Sequence, residues 1–156
     1  ETGTTLLENS LLKARTVFNI TGIPTIADDT GLEVDFLDGA PGVYSARYAG
    51  NNVSYQDNVN KLLIKLDGVP REKRKAKFRT VVTYIDKNEE LWTEGRIDGI
   101  ISESIIGDGG FGYDPIFFVT HIGKTFAELS SAEKNKISHR GIALQKLRKI
   151  LINVLK

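Results

Sequence analysis

Residues 107 to 114, Gly-Asp-Gly-Gly-Phe-Gly-Tyr-Asp, place four glycines, two aromatic rings and two carboxylates in eight consecutive positions. Gly107, Gly109 and Gly112 fit the spacing G-x-G-x-x-G, and the residues behind them exclude the fold to which that spacing usually belongs. A dinucleotide fingerprint needs a helix whose N-terminus receives a pyrophosphate. Here Pro115 follows three residues after Gly112 and opens Ile116-Phe117-Phe118-Val119, a run that reads as a strand. A kinase glycine loop is excluded as well, because no V-A-I-K, H-R-D or D-F-G follows it. What remains is a loop whose backbone approaches a ligand, with Phe111 and Asp114 at its far end. That arrangement suits a flat aromatic ring with polar edges, such as a nucleobase.

The rest of the chain predicts helices interleaved with strands. Thr5-x-x-Glu8 is a capping box, and Leu7, Leu11, Ala14 and Phe18 follow at helical spacing toward a stop near Thr21-Gly22. Thr25-Ile26-Ala27 reads as a short strand ending in Asp28-Asp29-Thr30-Gly31. A second strand carries Leu32, Val34 and Phe36 in alternation with Glu33 and Asp35. Ser54-x-x-Asp57 starts a helix with Val59, Leu62, Leu63 and Leu66 on one face. Phe78 to Ile85 and Leu91 to Ile101 form a hairpin about the turn at Asp86 to Glu90. Ser130-x-x-Glu133 starts a short helix. A last helix from about Ser138 to Val154 turns Leu144, Leu147, Leu151 and Leu155 inward. These elements make residues 1–156 one mixed α/β domain with a twisted central sheet flanked by helices.

Composition narrows the chemistry. The 156 residues contain no cysteine, which excludes disulfides, thiolate metal sites and cysteine nucleophiles. The net charge of +1 gives no support for a surface that wraps nucleic acid, although Arg71 to Arg79 is a local basic run that reads as a solvated approach to a strand. No apolar run approaches the roughly 20 residues that span a bilayer. The chain opens at Glu1 with no methionine, so it reads as N-terminally incomplete.

Two further patches join the glycine loop as chemical candidates. Two adjacent carboxylates at the end of a buried strand repel one another and lose hydration, so Asp28-Asp29 calls for an offsetting charge, a hard divalent cation being the most direct. Strand alternation lets only one of them face a ligand squarely. The alternative is a turn capped ahead of Gly31. Glu1 and Glu8 are possible further metal ligands, Glu8 having a sufficient local role in its capping box. Lys13 and Arg15 read either as a solvated helix face or, for Lys13, as a phosphate contact. The second patch, Glu133 to Arg140, sets Lys134, His139 and Arg140 near the junction of two helices, where N–H donors beside a helix N-terminus suit an anion or a carbonyl. In the other reading Ser138 caps the last helix while His139 and Arg140 face water.

Together these stretches resemble the inosine/xanthosine triphosphate pyrophosphatase family. The resemblance runs in order along the whole chain, through Glu1-Thr2-Gly3, Glu8-Asn9, Lys13-Ala14-Arg15 and Ala27-Asp28-Asp29-Thr30-Gly31-Leu32. It continues through Gly39 to Tyr48, Gly109 to Phe118, Lys124-Thr125, Glu133-Lys134 and Ile137-Ser138-His139-Arg140-Gly141. It implies an elongated α/β fold of two lobes with a central nucleotide cleft, and a cytoplasmic homodimer. The implied reaction is Mg²⁺-dependent hydrolysis of ITP, dITP and XTP to the monophosphate and pyrophosphate. It also implies Asp29 as proton acceptor and metal ligand, and Glu1 as a second metal ligand. Lys13, Thr30, Phe111, Gly112, Tyr113, Asp114, Lys134, His139 and Arg140 match substrate-binding positions. The family further implies a strand and a Thr-x-Asn-x-x-Lys loop ahead of Glu1. A pyrophosphatase of similar fold acting on modified pyrimidines, as in the septum-formation inhibitor group, and a nucleotide-binding relic without turnover are the competing expectations. Neither membrane nor nucleic-acid partners are expected.

Overall fold

The computed structural model describes residues 2–154. Among them are four α-helices, α1 (Leu6–Thr21), α2 (Tyr55–Lys65), α3 (Ser131–Ile137) and α4 (His139–Val154). Six strands, β1 (Thr25–Val34), β2 (Pro41–Gly42), β3 (Lys75–Ile85), β4 (Glu90–Ile101), β5 (Phe117–Val119) and β6 (Lys124–Thr125), form one sheet in the order β2-β1-β3-β4-β5-β6. β2 on β1, β5 on β4 and β6 on β5 are antiparallel. Thr30 meets Thr80 and Glu33 meets Lys77, so three residues forward on β1 are three residues back on β3, and this pair is antiparallel too. No helix among the described residues is long and apolar enough to cross a membrane.

The three capping boxes form as their spacing predicts. Thr5 accepts from the Glu8 amide, Ser54 from that of Asp57 and Ser130 from that of Glu133, and each acid reaches back to its cap. Gly22, at φ 67°, stops α1 with its N–H on the Phe18 carbonyl.

Three local expectations fail. Asp28-Asp29 does not end a strand, because β1 continues through it to Val34 and leaves Phe36 exposed in a 3₁₀ turn. Both carboxylates therefore sit in the middle of a strand, and the turn reading falls. The buried stripe of α1 is Leu6, Asn9, Ser10 and Ala14, while Leu7, Leu11 and Phe18 are half-buried. In α4, Leu147 is buried but Leu144 is 43% exposed, and Leu155 lies outside the described residues.

The chain divides into two compact units, the first comprising residues 1–30, 79–96 and 137–156 and the second residues 31–78 and 97–136. In the first, Val82 and Tyr84 of β3 pack against Ala143 and Leu147 of α4, with Leu91 and Leu151 beside them. In the second, the rings of Phe78, Phe117 and Phe126 meet at centroid distances of 4.6 to 5.9 Å, and Leu32, Leu62 and Ile116 of the same unit are fully buried. Arg74, read with the basic run as solvated, is instead buried in this unit. Its guanidinium donates to the carbonyls of Leu66, Ile101 and Ser102 and so ties α2 to β4.

Candidate active site

In the first unit the chemistry collects around β1. Alternation along the strand buries Asp29 and leaves Asp28 and Thr30 half-buried. A buried carboxylate needs donors. α1 supplies them from positions i and i+4, which share a helix face. Asn9 Nδ2 lies 3.3 Å from Asp29 Oδ2, and Lys13 Nζ lies 2.7 Å from Asp29 Oδ1. Asn9 is fully buried, and its Oδ1 accepts from the Gly3 amide at 2.8 Å. This explains a helix with a polar inner face: Asn9 serves Asp29, while Ser10 Oγ donates to the Ala27 carbonyl and pairs with Thr83 Oγ1 at 2.7 Å. Lys13 is therefore not simply a solvated residue. Thr30 Oγ1 pairs with Thr80 Oγ1 at 2.6 Å.

Asp28 has a different partner. Arg140, 112 residues later, directs Nε at 3.0 Å and Nη2 at 2.9 Å onto Asp28 Oδ2. Ser138 Oγ accepts from the Gly141 amide, as expected of a cap, but His139 does not face water and is buried. Gly95 explains how the start of α4 comes so close to β4. A Cβ at Gly95 would stand 1.9 Å from the His139 carbonyl oxygen and 2.6 Å from the Ala143 nitrogen.

Two candidate metal ligands remain. Glu1 lies outside the described residues. Glu8 is occupied by its helix start: the Thr4 amide at 2.6 Å, the Thr4 hydroxyl and the Thr5 amide all donate to it, the Thr4 amide first among the contacts that hold its carboxyl below the usual range.

In the second unit the glycine loop is built around Asp114. This carboxylate, 2% exposed, accepts from the Phe111 amide at 2.9 Å and from the Lys134 ammonium of α3. Gly110, at φ 72°, leaves room for it, since a Cβ there would lie 2.1 Å from Asp114 Oδ2. Gly112, at φ 61°, needs its glycine for backbone conformation alone, with nothing within 4 Å of a Cβ. The Tyr113 hydroxyl donates to the Ser45 carbonyl at 2.8 Å, and burial holds its phenol well above the usual range. Phe111 is left 53% exposed, with Lys134 Nζ 4.6 Å from its ring centroid and the Tyr55 ring tilted at 6.3 Å. Tyr113 and Asp114 thus spend their side chains inside the protein, whereas the Phe111 ring is half exposed.

Sequence reasoning gave no role to Asn9 or Gly95, and singled out Asp28 without its partner Arg140. Asn9 had a legible signal, a polar residue between Leu6 and Ala14 on the inward face of an amphipathic helix. The partner of Asp28 and the closeness at Gly95 had none.

The chain matches the Ham1 family over residues 1–150. The dITP/XTP pyrophosphatase of Caldanaerobacter subterraneus subsp. tengcongensis is 54% identical over 154 residues, 97% of this chain and 76% of that protein. The dITP/XTP pyrophosphatase of a Thermoanaerobacter species is 52% identical over 152 residues, 97% of this chain and 77% of that protein. The Staphylococcus aureus Ham1 protein superposes with a TM-score of 0.93 at 43% identity, over 98% of this chain and 79% of that structure. With agreement this extensive in both sequence and fold, the chain belongs to the Ham1 family.

Proposed function

We infer that this chain hydrolyses non-standard purine nucleoside triphosphates, dITP, ITP and XTP, to the monophosphate and pyrophosphate. The observation that carries this reading is the buried Asp29 carboxylate, held by Lys13 and Asn9, in a chain more than half identical to dITP/XTP pyrophosphatases.

Each residue then has a chemical task. Asp29 accepts the proton of the attacking water as its oxygen bonds to the α-phosphorus and the bond to the α–β bridging oxygen breaks, releasing pyrophosphate. Lys13 donates to phosphate oxygens of a substrate that carries roughly four negative charges, and Thr30 Oγ1 adds a neutral donor. Phe111 offers a stacking face for the base, and Gly112, Tyr113, Asp114 and Lys134 hold that face in place. His139 and Arg140 donate to the 6-oxo edge of hypoxanthine or xanthine. Adenine presents an amino group there, and leaving a buried donor unpaired costs about 1–3 kcal/mol.

The carboxylate of Asp29 fits Mg²⁺. Among the described residues no cluster of three or more His, Cys, Asp or Glu side chains forms a dedicated metal cage. Mg²⁺ instead favours one or two carboxylates together with phosphate oxygens and water, which is what Asp29, with Glu1 as a second ligand, would offer. When bound, Mg²⁺ screens the phosphates and polarises the α-phosphoryl group. We further propose a cytoplasmic homodimer, to be checked by sedimentation.

A triphosphate panel assayed for pyrophosphate release tests the reading. ITP, dITP and XTP should exceed ATP, GTP and CTP in kcat/KM. A preference for methylated pyrimidines, or tight ITP binding by calorimetry with no product, would overturn it.

A further inference from the structure

Asp28 and Asp29 are consecutive, yet β1 gives them separate partners. Asp29 faces α1 and is engaged by Asn9 and Lys13, whereas Asp28 is engaged by Arg140 of α4. Two donors of one guanidinium, Nε and Nη2, converge on the same Asp28 oxygen at 3.0 and 2.9 Å, and this fixes the plane of the group as a single contact would not. The side chains are 38% and 41% exposed, so the pair adds little to stability and mainly sets orientation. The helix backbone is already placed by other means. Thr93 Oγ1 donates to the Ala143 carbonyl at 2.8 Å, and the β4 backbone at Gly95 lies directly against the first turn of α4. Fixing the backbone still leaves a long arginine side chain with many rotamers. A side chain ordered before the ligand arrives loses less entropy on binding.

We propose that Asp28 is the positioning residue for Arg140, holding its guanidinium in the orientation that reads the oxo edge of the purine, and thereby a determinant of base preference. This rests on Arg140 being a substrate contact, as inferred above. Asp28 acts neither on the attacking water nor on the phosphates.

Asp28→Ala, Asp28→Asn, Arg140→Ala and the Asp28→Ala/Arg140→Ala pair are compared in the full chain by steady-state pyrophosphate release with ITP and ATP, together with thermal unfolding. Asp28→Ala should raise KM for ITP about 5- to 30-fold, leave kcat within about 3-fold and narrow the preference for ITP over ATP. It should have no further effect once Arg140 is alanine. Asp28→Asn keeps the shape and an acceptor oxygen without the charge, and should fall between. If Asp28→Ala lowers the unfolding midpoint, the near-isosteric Asp28→Asn decides the matter. A fall in kcat with unchanged KM, equal in both Arg140 backgrounds, overturns the proposal by placing Asp28 in the chemistry. So does an Asp28→Ala enzyme with unaltered KM when Arg140→Ala alone raises KM, and in that case the Arg140 contact stands. Should Arg140→Ala leave KM unchanged for every triphosphate, the substrate contact itself fails and the proposal falls with it.

Discussion

A carboxylate as buried as Asp29 persists in a strand only when its oxygens find donors, and Asn9 and Lys13 supply one to each. That arrangement makes a clean test possible. Asp29→Asn keeps the volume and removes the proton acceptor, and Lys13, about a third exposed, can turn to water. Hydrolysis should fall by at least about 100-fold while cooperative unfolding is retained, read by product release and urea unfolding. Retained turnover would remove Asp29 from the mechanism. Phe111 is the opposite case, an exposed ring that supports little of the core. Phe111→Ala should weaken binding of ITP, XTP and GTP alike by about 1–3 kcal/mol, because stacking hardly distinguishes base edges. Unequal losses among the three in calorimetry would show that the ring does more than stack.

At the scale of elements, the helix starts and the glycine loop carry the sharpest expectations. Backbone and hydroxyl donors hold the carboxyls of Glu8, Asp57 and Glu133 below their usual values. A depressed folded-state pKa contributes stability that is complete above the unfolded value, 4.5 for glutamate and 3.8 for aspartate, and is lost as pH falls through the lower folded value. Stability should therefore decline with acidification from about pH 4.5 downward. Glu8→Gln should flatten that decline, and an unchanged slope in acid titrations followed by circular dichroism would contradict the assignment. In the loop, Gly110 and Gly112 both have positive φ, but only Gly110 faces a carboxylate where its side chain would go. Gly112→Ala should cost about 1 kcal/mol and Gly110→Ala about 2–4 kcal/mol, measured by denaturant unfolding. Equal costs would mean that Asp114 moves aside.

The capping boxes, the glycine stop of α1 and the hairpin of β3 and β4 were legible because each is set by residues within a few positions of one another. β1 was read as two strands because Asp28-Asp29-Thr30-Gly31 has turn composition. The donors that keep it extended arrive from α1 and α4, far away in sequence. The inward face of α1 was misassigned for a similar reason: hydrophobic periodicity favours Leu7, Leu11 and Phe18, whereas the buried positions are partly polar and paired to Asp29 and Thr83.

For the whole molecule, each compact unit encloses its own apolar cluster, and the first also leaves apolar surface uncovered. Ile26, Leu144, Leu147, Leu151 and Ile152, with Arg148, line a cavity of about 520 Å³ that opens to solvent. Ile20, Ile23 and Ile26 are 80%, 64% and 53% exposed. Exposed apolar surface of this kind attracts hydrophobic dyes. The native protein should enhance ANS fluorescence, and Ile152→Lys should reduce the enhancement without lowering the unfolding midpoint. No enhancement in the native protein would show that this surface is closed in solution.

Sequence alone was enough to identify the helices and their caps, the long hairpin, the glycine loop that is not a dinucleotide fingerprint, and the ordered motifs of the family resemblance. All of these depend on local conformational preference, side-chain period or residue order, which are written along the chain. Tertiary structure alone decided that Asp28 meets Arg140 while Asp29 meets Asn9 and Lys13, that His139 is buried, that Arg74 ties carbonyls together, and that Gly95 lets a helix lie against a strand. Those facts depend on which distant groups come within about 3 Å of one another. That distance is set by how the elements pack, which no spacing of residues along one chain encodes.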